Sequence, residues 1–195
     1  MLPMTRSAFD LDRFIADCRE ALAGDPPQKA VREVMVRALG DPAPVRDALA
    51  EPRAQVQKLH AAPDLVILNV IWAPGMTVMP HNHNMWAIIG LYDGREDNIF
   101  WRRINDEAGG RIEAAGAKAL STGECTTLGH DIIHSVTNPV ARFSGAIHIY
   151  GGDFFNAPRS EWDPETLLEG PYSVEKTVRI FEDANRRHAG AAGQP

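Results

Sequence analysis

The chain has 195 residues, enough for one well-filled core, so a single domain is expected. Hydrophobic residues make up 44% and charged residues 24%, an ordinary globular balance that argues against a disordered or bilayer-embedded chain. The formal net charge of -6, with no dense Lys/Arg run, offers no general attraction to phosphate backbones and speaks against nucleic acid as a partner.

Asp10, Asp12, Asp17 and Glu20 interrupt the apolar positions near the N-terminus, so the unbroken apolar core of a secretory signal is missing there. Leu11, Phe14, Ile15, Cys18 and Leu22 instead form one helical stripe, and Gly24 follows as a stop. Next, "DPPQKAVREVMVRALG" offers Asp25 as an N-cap and prolines in the first turn, then Val31, Val34, Met35 and Leu39 at helical spacing. A third short helix is expected over "APVRDALAE". Residues 1–52 therefore read as a helical N-terminal extension of a single domain spanning 1–195.

From residue 53 the character changes. "DLVILNVIWAPG", "HNHNMWAIIGLYDG", "DNIFWRRI", "AKALSTGECTTLG", "IIHSVTN" and "FSGAIHIYGGDFF" are short β-branched or aromatic runs divided by Gly, Pro, Asp and Asn turns. No helical pattern alternates with them, which disfavours a parallel α/β sheet. The expectation is a mainly β core over 53–157, a jelly roll or small barrel, with "GREDN" as a charged hairpin. Residues 158–195 are expected to hold a loop, a last helix over "SVEKTVRIFEDANRRH" and a frayed tail, "AGAAGQP". The stripe of that helix is Val174, Val178 and Phe181. The longest apolar run, "LVILNVIWAPGM", is broken by Asn69 and Pro74 and is too short to span a bilayer. Cys18 and Cys125 are far apart and form no C-x-x-C pair; reduced structural thiols and a cytoplasmic setting are expected.

In "PHNHNMW", His81 and His83 are two residues apart, so on a strand their imidazoles share one face. Two protonated imidazoles would repel each other there, whereas a metal cation takes both lone pairs. Taken alone, H-x-H reads equally well as two polar strand residues facing water. Gly75 lies six residues before His81, and "HSVTN" supplies His134, with Asn138 four residues after it. This order, a glycine, H-x-H and a later H-x-x-x-N, resembles the two motifs of the cupin superfamily. The resemblance implies a double-stranded β-helix in which His81, His83 and His134 converge on one metal ion, and the N-terminal helices and C-terminal helix expected above are compatible with it. Most cupins add a glutamate four or five residues after the second histidine. Ala87 and Ile88 occupy that window here, and Glu96 falls beyond the next turn; Asp131 and Cys125 replace the usual proline and glycine of the second motif. Three neutral donors contribute no charge and leave positions open on a divalent ion, which suits a substrate that brings its own negative charge, such as a thiolate.

A three-histidine set resembles that of the cysteine dioxygenase-like, or thiol dioxygenase, branch. "NVIWAPGMTVMPHNH", with Trp72 nine residues before His81, and "IHIYGG", with His148 and Tyr150, resemble that branch further. The resemblance implies Fe(II) and O2, with Tyr150 beside the substrate and His148 holding its hydroxyl. Ala146 stands where the branch has a serine that completes a serine, histidine, tyrosine relay; "MWAII" lacks the cysteine that cross-links to the tyrosine in animal enzymes. No arginine occupies the position that grips an amino-acid carboxylate. That position falls near Gln55, with Arg53 the nearest arginine. The chain also resembles bacterial predicted metal-dependent enzymes of the double-stranded β-helix. Met85, which shares the phase of His83, is a candidate pocket wall, as are Trp72, Arg53 and Arg103. Trp101 and Arg103 share a face opposite Arg102, while His130, His60 and His188 read as solvated. Three readings stay open: a dioxygenase acting on a small thiol; a Ni, Mn or Zn cupin performing isomerisation, hydrolysis or carbon-carbon cleavage; and a non-catalytic small-ligand sensor. A homodimer through outer strands is compatible with each.

Overall fold

The computed structural model describes residues 8–104 and 110–192. Residues 1–7 of the expected N-terminal extension and residues 193–195 of the expected tail lie outside it. Three helices come first: α1 (Leu11–Ala21), α2 (Pro27–Ala38) and α3 (Pro42–Leu49). Asp10 caps α1 by accepting from Arg13 N, and Asp41 caps α3 by accepting from Ala43 N. Asp25 does not cap α2. Pro26 takes the N-cap position, which leaves Asp25 one residue outside the helix.

The β strands follow as β1 (Gln55–Ala62), β2 (Leu65–Trp72), β3 (Thr77–Asn82), β4 (Ala87–Asp93), β5 (Arg95–Arg103) and β6 (Ile112–Ser121). Then come β7 (Cys125–Leu128), β8 (Ile133–Thr137), β9 (Ser144–Tyr150), β10 (Ser160–Trp162) and β11 (Glu169–Pro171). They form two antiparallel sheets, ordered β1-β2-β9-β4-β7 and β11-β10-β3-β8-β5-β6. Strands β2 to β5 alternate between the sheets, strands β6 to β9 alternate back, and the β5–β6 pair joins the two runs. That interleaving is a jelly roll, the double-stranded β-helix. Helix α4 (Val174–Ala192) closes the chain and runs through residues expected to fray. The segment expected as a loop before α4 carries β10 and β11, which extend the second sheet beside β3.

Strand β2 is buried at every position because both its faces are covered. Val66, Leu68, Val70 and Trp72 face the barrel interior, while Leu65 and Ile67 pack outward with Val31, Val34 and Met35 of α2. A side chain at Gly90 would overlap Met35 Sδ, so this glycine lets α2 lie directly on the sheet. Asn69 is the polar exception on the outward face. Its Nδ2 donates to the last carbonyl of α3, Leu49 O, at 2.8 Å, and Tyr92 Oη donates to its Oδ1 at 2.8 Å.

Asn138, the last residue of "HSVTN", is fully buried and staples the end of β8 to the β2–β3 connection. Its Nδ2 reaches the carbonyls of Trp72, Ala73 and Arg142 at 3.0, 3.1 and 2.9 Å, and its Oδ1 accepts from Ser144 Oγ and Val140 N. Asn138→Ala would strand several of these groups without partners and is expected to lower unfolding free energy by about 2–4 kcal/mol, read as a lower urea midpoint. A midpoint unchanged from the parent would contradict the staple.

Candidate metal centre

His81 lies on β3 directly opposite His134 of β8, as Cα partners in the antiparallel register. His83 stands just past the end of β3, where the chain turns through Asn84 at φ 53. One potential ligand atom from each of the three histidines lies within 4.8 Å of the others. Two of the rings have their tautomer set by a neighbour. His81 Nδ1 donates to Met79 O at 2.9 Å and His134 Nδ1 to Asn98 Oδ1 at 2.7 Å, which turns both Nε2 lone pairs to the common point. His134 Nε2 is buried with no hydrogen-bond partner of its own. Burial lowers the pKa of His81 to about 4; burial, then the neighbouring imidazoles, holds His83 and His134 well below their ordinary value. Three neutral imidazoles aimed at one point are a donor set ready for a divalent transition metal.

Tyr150 and His148, both on β9, are buried beside this cluster, and the ring of Tyr150 lies 4.9 Å from that of His83. His148 Nδ1 is 3.1 Å from Tyr150 Oη, and its Nε2 is 3.5 Å from Glu96 Oε2, a longer and poorly angled contact. Glu96 is fully buried. It accepts from Trp72 Nε1 at 2.9 Å and from Asn98 Nδ2 at 3.0 Å. A carboxylate facing His148 Nε2 favours the tautomer that carries its proton there, and Nδ1 then accepts from the Tyr150 phenol. Glu96 thus faces His148 on the side away from Tyr150, and through Asn98 it also reaches His134. Burial raises the Tyr150 pKa above its ordinary value, so the phenol keeps its proton.

The three histidines, His148 and Tyr150 line a cavity of about 280 Å³ whose other walls are mostly valines and phenylalanines. The chain matches no protein-family model. Among solved structures it is similar to an RmlC-like cupin with a double-stranded β-helix from Methanocaldococcus jannaschii, at 12% identity and a TM-score of 0.44, over 55% of this chain and 90% of that one. It is also similar to a double-stranded β-helix protein from Klebsiella pneumoniae, at 13% identity and a TM-score of 0.45, over 60% and 93% of the two chains. A third likeness is to KdgF from a Halomonas species, at 20% identity and a TM-score of 0.40, over 53% and 83%.

Of the candidate residues, the cavity brings together His81, His83, His134, His148, Tyr150 and Trp72. Met85, Arg53 and Arg103 are not among its lining. Met85 packs into the inner apolar cluster, against the turn at Gly152. Arg53 is exposed in the segment leading to β1. Arg103, at the far end of β5, pairs with Glu169 and lies over Trp162, and Arg102 pairs with Glu113 outside the barrel. His130 is exposed and bonded to Asp131, and the His188 ring rests on Phe143. His60 sits in β1 with Nε2 buried, not solvated as expected. Two residues escaped sequence reasoning. Glu96 was assigned to a hairpin, although the period-2 phase of β5 puts it on one face with Asn98 and Phe100. Arg159 lines the cavity from the β9–β10 connection, and no local pattern marks it. Among the described residues no helix is long and apolar enough to cross a membrane.

Proposed function

We propose that the protein is a metal-dependent dioxygenase of thiol-dioxygenase type, in which His81, His83 and His134 hold Fe(II) and O2 converts a small thiol to its sulfinate. The observation that supports this reading is an all-imidazole donor set that shares one largely apolar cavity with Tyr150 and His148, with the buried Glu96 behind His148. The overall reaction balances as R–SH plus O2 giving R–SO2H. Sulfur loses four electrons, O2 gains them, both oxygen atoms end on sulfur, and the thiol proton ends on the acid. Fe(II), when bound, supplies the redox capacity that O2 chemistry needs and an electrophilic seat for a thiolate.

The protein's own groups handle the proton. With Tyr150 Oη donating to His148 Nδ1, the remaining lone pairs of the phenol oxygen are free to accept the S–H of an incoming thiol. The thiol proton passes to Tyr150 Oη and the phenol proton to His148 Nδ1. The resulting imidazolium faces Glu96, whose negative charge favours it. Apolar walls keep water from competing for these groups.

The test is O2 uptake by iron-loaded protein across a panel of small thiols, with the sulfinate identified by mass spectrometry. No uptake with any thiol, or absence of iron from protein grown in metal-balanced medium, overturns the reading. Tyr150→Phe is expected to slow turnover about 10²-fold while metal content stays at the parent level. The loss should shrink for more acidic thiols, which need less help in ionising. An equal loss for thiols of every acidity would remove the proton relay.

A further inference from the structure

The two asparagines that alternate with the histidines in "HNHN" both reach across to distant backbone. Asn82, buried beside His81, accepts through Oδ1 from Ser160 N at 2.8 Å. Asn84 donates through Nδ2 to Pro158 O at 2.8 Å, from a left-handed turn at φ 53 that asparagine tolerates better than most residues. At the other end of the same connection, Gly151 N donates to Trp86 O at 3.1 Å. Residues 151–160 thus form a loop with both ends fastened to residues 82–86, the stretch that follows His81 and carries His83.

That loop is one wall of the cavity. Phe154, Phe155 and Arg159 line it, and the Phe154 ring rests against that of Tyr150 with centroids 4.0 Å apart. Inside the loop the backbone bonds are short-range turns, Phe154 N to Gly152 O at 3.0 Å and Ala157 N to Asp153 O at 2.9 Å, and strand pairing resumes at Ser160. A segment without a ladder of its own has low local stability, so its seat beside the imidazoles depends on its fastenings. Holding the rings of His81 and His83 on one cation also restrains the backbone between them, and Asn82 and Asn84 extend that restraint to Ser160 and Pro158. Linkage works in reverse as well: a wall seated on the two asparagines orders the histidine backbone before a metal arrives.

We propose that Asn82 and Asn84 are positioning residues that couple metal binding to the seating of the cavity wall at residues 152–159, so that the wall is held most firmly when the three histidines share a divalent ion. The coupling sets an order of events, metal first and substrate second. It rests on the three-histidine site of the proposed function and not on the oxidation assigned there.

Hydrogen exchange of zinc-loaded and metal-free protein, read by mass spectrometry, tests it without turnover. Zinc should slow exchange in the peptide spanning residues 152–160 by about tenfold in the parent, with β2 amides as the folding control. The two clamps differ in chemistry, and that difference separates coupling from packing. Asn82 is an acceptor, so Asn82→Asp keeps the bond to Ser160 N and should keep the zinc effect. Asn84 is a donor, so Asn84→Asp sets a carboxylate oxygen against Pro158 O and should reduce the zinc effect to about threefold or less, although aspartate also tolerates the left-handed turn. Both changes add one negative charge beside the metal site, so charge alone cannot drive them apart. Because coupling is reciprocal, zinc affinity measured against a chelator should be about 5–10-fold weaker in Asn84→Asp than in Asn82→Asp. A parent wall that zinc does not protect, or equal zinc effects in the two variants, overturns the proposal. So does protection lost from Asn84→Asp to the same extent with and without zinc, which marks a contact that only packs. The two readings fail separately. Zinc-dependent protection without thiol-driven O2 uptake keeps this proposal and rejects the dioxygenase, and rapid thiol oxidation by protein whose wall ignores the metal does the reverse.

Discussion

His134→Ala is expected to abolish stoichiometric binding of a divalent metal, and Asn98→Ala to weaken it about 10–100-fold while leaving all three imidazoles in place. The physical difference lies in what each residue supplies. His134 offers one of the three clustered nitrogen atoms that could hold a metal and sits at the β3–β8 pairing, directly across from His81. Asn98 contributes no ligand. Its Oδ1, 2.7 Å from His134 Nδ1, keeps the ring proton on that nitrogen and the lone pair on the other. Without this acceptor the His134 ring can rotate or change tautomer, and each bound metal must then restore the order. Competition against a chromophoric chelator measures both variants. Metal affinity in Asn98→Ala equal to the parent would show that the ring needs no such anchor. Because metal binds the folded state alone, saturation at 100 times Kd should stabilise the parent by about 2.7 kcal/mol, a gain that a chelator removes from the parent and that His134→Ala never shows.

Glu96→Gln is expected to cut turnover about 10²–10³-fold with metal content unchanged, whereas Glu96→Ala should also lose about 2–5 kcal/mol of stability. Glu96 is wholly buried, and its two oxygens meet the N–H groups of Trp72 and Asn98 and the Nε2 side of His148. Alanine leaves the Trp72 and Asn98 donors stranded in an apolar interior. Glutamine preserves the shape but removes the charge that favours a proton on His148 Nε2 and stabilises the imidazolium. It also turns an amide N–H₂ toward one of three donors. Single-turnover rates, metal analysis and urea unfolding on the same preparations separate the effects. Turnover in Glu96→Gln at the parent level would remove Glu96 from the relay and leave it a packing role.

The histidine triad was legible through the resemblance of two short motifs: the H-x-H that straddles the end of β3 supplies His81 and His83, and "HSVTN" on β8 supplies His134 and the stapling residue Asn138. The pairing of His148 with Tyr150 was legible as well, since i and i+2 on β9 share a face. Strand β5 was legible as a strand, but its inward face was not, because both faces of "REDNIFWRR" carry polar residues and hydropathy cannot choose between them. Pairing with β8 makes the choice against hydropathy: Glu96 and Asn98 turn inward, and Ile99 is left 41% exposed. Arg53, a candidate pocket wall, lies outside the cavity for a different reason. A residue just before an edge strand faces solvent unless something covers it.

Strand period and short turns, which act over a few residues, made the mainly β core legible, and the resemblance to the cupin motifs pointed to His81, His83 and His134 with Tyr150 beside them. Which charges join them depends on how distant strands pair. Strand β10 returns to pair with β3 at Glu161 and His81, and that one contact carries Arg159 to the cavity across a gap of 78 positions between His81 and Arg159. The same holds for Glu96, which reaches His148 only because β5 and β9 belong to opposite sheets facing a common interior. Local spacing can place two side chains on one face, but the closing of the barrel determines what that face meets.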